Sequence, residues 1–491
     1  MTERLSPAVM DRLPESVRKP AYDRSRIKTG LVHIGVGAFH RTHQAVYTED
    51  AIEAAGGDWG VVGLSLRNRT AGDQLNPQSG LFTVDARLGE LHDFRVIGNV
   101  SGVIIAPDSP SEALGVLTNP SVRAVTLTVT EKGYGLDPAS GALMVDEGDI
   151  AADLANPGAP RSAIGYVAAA LRSRRQAGIA PFTVISCDNI PSNGRRLHSA
   201  LTQYAEAFDA ALARFIEREV ACPETMVDRI APATTQADLD AAADILGVRD
   251  EAHVKTEPFK QWVIEDKFCA ARPAWEQAGA MIVADVAPYE TAKLRMLNGA
   301  HSAIAYLGYL AGCEFAHDVM SDATLAPFIE TLMDEDIIPV VEAPQEMPLD
   351  IYARDLRERF RNAALQHRTW QIAMDGSQKM PQRILNSIRD HIRKGTPYDR
   401  LALAVAAWMT YAGGKNLDGE TIDVCDPLAT RMGAITAAAG GRAEKLTAGF
   451  LSLNEVFGDD LGADSDFAQN LARQLKALQE LGPRGAAERL L

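Results

Sequence analysis

The feature that most constrains the fold is a change of texture near residue 285. Before it, the short apolar runs GLVHIGVG (30–37), WGVVGLSL, LFTVDARL, FRVIGNV, AVTLTVT and FTVISC alternate with helical spacing, as in SAIGYVAAALRSRRQAG just ahead of the last run. That alternation predicts an α/β layer built on a largely parallel, doubly wound sheet. After it, strand-like runs almost vanish apart from IIPVV. Ala/Leu-rich amphipathic segments at 290–312, 321–334, 350–366, 397–413, 428–439 and 467–481 predict a mostly α-helical domain. The expected division is therefore an α/β domain over 1–285 and a predominantly helical domain over 286–491. Residues 1–29 read as a loosely structured lead-in.

Composition narrows the class. With 491 residues, 46% hydrophobic and 23% charged, the chain has the make-up of a soluble globular protein of two or more domains. Its formal charge of −16 disfavours a nucleic-acid partner, because phosphate contact needs a basic face. A local basic pocket for an anionic small molecule remains compatible with it. No apolar stretch reaches the roughly 18 residues of a membrane span, and the charged, Pro-punctuated N-terminus has no apolar signal core. The five cysteines are scattered and never form a CxxC pair, which argues against a structural zinc site or a disulfide framework. The expectation is a cytoplasmic enzyme without a membrane partner, its oligomeric state left open.

Gly35-Val36-Gly37-Ala38-Phe39-His40 follows the first apolar run and precedes a helical one. In that context the first glycine permits a tight turn and the second lets backbone approach a pyrophosphate. His40 stands where a third glycine would complete the fingerprint. The second apolar run ends Ser65-Leu66-Arg67-Asn68, without the acidic residue that usually holds the ribose of NAD. Arg67 suits a 2′-phosphate or the surface equally, so the turn alone does not separate NAD from NADP.

Three further strand ends carry polar residues: Asn189 after FTVIS, Thr130 after AVTL, and Asp228 in MVDRI. Ligands gather at the carboxyl ends of strands in doubly wound sheets, although turns and caps favour the same residue types. In the helical half, APYETAKLRMLNGAHSAIAYLGYL opens on Pro288 and runs on without another proline. At about 100° per residue, Asn298 falls near ~140° and His301 near ~80° from Lys293. An ammonium, a carboxamide and an imidazole then share one flank, either around a reacting oxygen or as satisfied core groups. HRTWQIAMDGSQKMPQR gathers His367, Arg368, Lys379 and Arg383 in a basic loop that suits a carboxylate or plain solvent. Tyr289 and Lys293 reproduce a Tyr-x-x-x-Lys pair, but without the glycine turn that accompanies it in short-chain dehydrogenases.

The segments GVGAFHRTHQAVY, TLTVTEKGYGLD, TVISCDNIPSNG, TMVDRIAPAT, EPFKQWVIEDKF, KLRMLNGAHSAIAYLGYLAG and HRTWQIAMDGSQKMPQR resemble the polyol-specific long-chain dehydrogenases. The likeness runs over about residues 20–480, and WVIEDKF and HRTWQIAMDGSQK look most like the fructuronate reductase branch of that group. The resemblance implies a Rossmann-type domain with Gly35, Gly37, Phe39, His40, Arg67, Thr130 and Asp228 toward the cofactor, a helical catalytic domain, NAD and no metal. It further implies Lys293 as acid/base, Asn298 and Asn189 on the reacting oxygen, His301 positioning substrate and Lys379 touching it. Arg368 joins Lys379 as a candidate for a substrate carboxylate. Gln371 stands where some mannitol dehydrogenases carry Arg, which speaks against mannitol.

The expected reaction is NAD-linked interconversion of D-fructuronate and D-mannonate, the small-molecule substrate being a sugar acid or polyol. The alternatives are a mannitol 2-dehydrogenase acting on fructose and mannitol, or a non-catalytic NAD-binding sensor. A free lysine titrates near ~10.4, so Lys293 as a base near neutrality would need burial or a neighbouring cation to lower it.

Overall fold

The run TGLVHI is apolar on both faces and forms a strand, β1 (Thr29–Ile34), buried at every residue but its first. In this computed structural model, which describes residues 3–137 and 140–491, the strands that follow are β2 (Gly60–Ser65), β3 (Phe82–Leu88), β4 (Leu91–Ile97), β5 (Val100–Ile105), β6 (Ala124–Leu127), β7 (Thr183–Ser186), β8 (Thr225–Asp228), β9 (Val254–Thr256), β10 (Gln261–Glu265) and β11 (Met281–Val283). The chain divides into two units, Met1–Ala287 and Pro288–Leu491.

In the first unit, five strands make an all-parallel sheet in the order β5-β2-β1-β6-β7. Val32 of β1 pairs with Val62 on one side and Val125 on the other. Alternate residues feed different cores, as a period of two demands. Val32 and Ile34 pack with the helix Ala163–Gln176, whereas Leu31 packs with the helix Gln44–Ala55 and with Trp262. The connections diverge on either side of β1, so a crevice opens between the ends of β1 and β6.

LFTVDARL and FRVIGNV do not join this sheet. They form the antiparallel hairpin β3–β4, paired from Phe82–Ile97 to Leu88–Leu91, with β9 alongside β3. The spacing explains the difference, because parallel neighbours need a crossover of a dozen residues and only Gly89 and Glu90 separate these strands. The edge of the parallel sheet beside β2 goes to β5, whose apolar run is interrupted by Ser101 and Gly102. A further small sheet, β11-β10-β8, holds WVIE in β10. The lead-in is not loose either. Leu5, Val9, Leu13 and Val17, spaced by four, are buried against Leu81, Phe94, Val96, Leu246 and Val248.

The second unit contains helices and no named strand among the described residues. Its centre is Asn298–Leu310, which packs on Asp399–Ala412 and Thr369–Ala373; Ser465–Glu488 backs Asp399–Ala412. IIPVV lies in helical turns, not a strand. HRTWQIAMDGSQKMPQR is not a loop but two short helices, Thr369–Ala373 and Gly376–Met380, hinged at Asp375 (φ +55°). Three segments adopt wide π turns: Lys293–Leu297, Leu332–Ile337 and Pro381–Leu385. The first packs against each of the other two.

Candidate functional site

At the end of β1 the chain turns through Gly35 at φ +95°, and a Cβ there would lie 2.1 Å from the Thr128 carbonyl oxygen. Only glycine fits. Above Gly37 the space is open, the nearest atom to a Cβ being 3.9 Å away. The turn borders a cleft of about 770 Å³ that runs past Arg67, Thr130 and Arg161. Such a volume and an open backbone approach fit a dinucleotide.

His40 and Phe39 are not among the residues lining that cleft. His40 is buried beneath the turn, its ring stacked on His33 at 3.5 Å with both nitrogens unpartnered. A third glycine would bring helix and strand together; here an imidazole pair fills the space instead. His33 is held by Thr126 Oγ1 (2.7 Å) and Thr128 Oγ1 (2.9 Å), and Thr128 Oγ1 also donates to the Gly35 carbonyl (2.7 Å). Phe39 stacks on His43 at 5.0 Å. Burial pushes His33 and His43 down to about 3, so both rings are neutral.

Thr130 lines the cleft at φ +67°, a strained conformation for a β-branched residue. Asp188 holds it there, accepting hydrogen bonds from Val129 N (3.1 Å), Thr130 N (2.9 Å) and the Tyr134 hydroxyl (2.7 Å). Burial raises the Asp188 carboxyl above its usual range. Its neighbour Asn189, the residue singled out by sequence, is exposed just beyond β7. Arg67 is exposed and lies 4.0 Å from Asp149 across the cleft rim. Asp228, at the end of β8, is buried and also lies outside the cleft lining.

In the second unit, Lys293, Asn298 and His301 are all buried. The π turn revises their geometry. Asn298 N–H bonds back to the Lys293 carbonyl, five residues earlier, so Asn298 sits one wide turn above Lys293 and not at the angle of a uniform α-helix. His301 lies 4.5 Å from the Phe360 ring and 5.2 Å, edge on, from His367. Burial foremost, then His367, Arg383, Arg359 and Lys379, hold His301 well below the usual imidazole range. Lys379 donates to the Met374 carbonyl at 2.5 Å and is pushed down to about 8, by burial first and Arg383 second. Asn298 Nδ2, His367 Nδ1 and Arg383 Nε are buried without partners. Near His301 these atoms leave hydrogen-bonding capacity that a polar ligand could use. Arg368 stands apart, paired with Glu314 and lying 5.2 Å over Phe315. The Tyr289 phenol is raised by burial and by Glu346.

Among the described residues, no three His, Cys, Asp or Glu side chains group closely enough to hold a metal ion, and no helix is long and apolar enough to cross a membrane.

A glycine turn on a parallel sheet, joined to a helical unit with a buried lysine, amide and imidazole, defines a dinucleotide-dependent oxidoreductase. Residues 29–277 match the mannitol dehydrogenase Rossmann domain and residues 285–479 the mannitol dehydrogenase C-terminal domain. The chain belongs to the mannitol dehydrogenase family. It is 44% identical to the D-mannonate oxidoreductase of Escherichia coli, over 96% of this chain and 97% of that one. It is also 44% identical to an uncharacterized oxidoreductase of the same organism, over 96% and 97%. The solved mannitol 2-dehydrogenase of Pseudomonas fluorescens, a ternary complex with NAD and D-mannitol, superposes with a TM-score of 0.86, 36% identity and 99% coverage of both chains.

Proposed function

We propose that this protein interconverts D-fructuronate and D-mannonate with NAD as cofactor. The observation that carries the choice of a sugar acid is electrostatic: the guanidinium of Arg383, buried without a carboxylate partner among the described residues, and the ammonium of Lys379 both bear on His301. A positively charged pocket favours an anionic substrate over a neutral polyol. The 44% identity to D-mannonate oxidoreductase supports the same reading.

The cleft bordered by Gly35 and Gly37 holds the dinucleotide, with Thr130 and Arg67 at its rim. When bound, NADH supplies the hydride for the substrate ketone. Lys293 gives its proton to the alkoxide oxygen that develops and takes one back in the reverse direction. The unpartnered Asn298 Nδ2 donates to the same oxygen, a role worth on the order of 3 kcal/mol. Neutral His301, packed against Phe360 and His367, fixes a substrate hydroxyl.

Lys293→Ala tests the assignment of the acid/base. Turnover should fall by several orders of magnitude with NADH affinity little changed. Retention of more than a tenth of the wild-type rate would remove Lys293 from the mechanism.

A further inference from the structure

Several other arginines of the helical unit face carboxylates. Arg295 pairs with Asp390, Arg400 with Asp336 and Glu335, and Arg389 with Asp460 at 2.6 Å. Arg383 differs. Among the described residues no carboxylate pairs with it. Its Nη1 makes only long contacts, 3.3 Å to Ser302 Oγ and 3.5 Å to the Asn298 carbonyl, and its buried Nε has no partner. Burial pulls the guanidinium down to about 10, and only the Tyr306 phenol opposes the shift. A buried cation without a counter-charge is costly, and proteins pair such groups or leave them for a ligand.

The surroundings fit one class of ligand. Lys379 adds a second cation, and Asn298 Nδ2 and His367 Nδ1 add unpartnered buried groups. Asp375, Asp426 and Cys425 act on Lys379 from the opposite sign, but the shift remains downward. Asp426 is already engaged, by Ser377 N (2.7 Å) and Ser377 Oγ (2.6 Å). A planar guanidinium with a free Nε edge matches a carboxylate better than a hydroxyl.

We infer that Arg383, not Arg368, receives the carboxylate of the substrate and thereby sets the preference for sugar acids over neutral sugars. This rests on the sugar-acid reading above. The Arg368 guanidinium is already neutralised by Glu314 at the surface.

The test compares kcat/KM for D-fructuronate and D-fructose in wild type, Arg383→Met and Arg383→Lys, with melting temperatures alongside. D-gluconate, an acid with no ketone to reduce, serves as a competitive inhibitor. Arg383→Met should lower the acid-to-neutral ratio by about 100-fold and abolish inhibition by D-gluconate. Arg383→Lys keeps the charge but not the fork, and should lower the ratio by about tenfold. If the Met variant does not fold, the Lys variant alone decides. A ratio that stays at the wild-type value in the variants, or equal losses on both sugars, overturns the inference. A wild type that ignores the acid but is inhibited by D-gluconate, with inhibition lost in Arg383→Met, would instead overturn the substrate reading and keep the contact.

Discussion

Gly299 lies so close to the Arg383 backbone that a Cβ on it would sit 2.7 Å from the Arg383 carbonyl oxygen. This approach locks the start of Asn298–Leu310 to the π segment Pro381–Leu385, and so couples Lys293 and Asn298 to Lys379 and Arg383. Gly299→Ala must push the two segments apart. Overpacking of this kind costs about 1–3 kcal/mol, and a shift of about 1 Å at a catalytic group can cost about 100-fold in rate. Turnover should therefore fall at least about tenfold while the melting temperature drops only a few degrees. Wild-type turnover with a lowered melting temperature would make the contact purely structural.

Asp188 offers a test in the cofactor unit. Its carboxylate organises Val129, Thr130 and Tyr134, and a hydrogen bond to a charged group contributes about 1.5–3 kcal/mol. Asp188→Ala should relax Thr130 and weaken NADH binding by about tenfold or more in a fluorescence titration. Unchanged affinity would show that the rim keeps its shape without Asp188.

The buried histidines predict an acid limb in stability. His33 and His43 titrate near 3 in the folded protein and near 6.5 when unfolded. Between those values the unfolded chain binds the protons and the folded one does not. Stability is therefore intact above about pH 6.5 and is lost as pH falls toward 3, by up to about 1.4 kcal/mol per histidine per pH unit. The melting temperature should decline from pH 6.5 to 4.5, and His43→Phe should flatten that slope. Parallel curves for variant and wild type would contradict the linkage.

Much of the first unit was legible because buried parallel strands announce themselves as apolar runs, and Gly35 and Gly37 fall at the end of one. The hairpin was misread because LFTVDARL and FRVIGNV are as apolar as sheet strands, although the short gap between them carried the answer. His40 looked like a cofactor contact only by its place in the motif; its stack on His33 depends on a side chain pointing inward. The π turn at Lys293–Leu297 leaves no periodic signature in the sequence, and the segment packs against Leu332–Ile337 and Pro381–Leu385, both distant along the chain. Arg383 and Arg368 look alike in sequence. What separates them is Glu314, which is distant along the chain.

Reduction of a sugar acid by NADH can be measured directly. The most direct measurement is NADH oxidation by the purified protein with D-fructuronate, D-fructose and D-tagaturonate as competing oxidants. The highest kcat/KM is expected with D-fructuronate, accompanied by formation of D-mannonate. Faster oxidation with D-fructose, or none with any of the three, would contradict it.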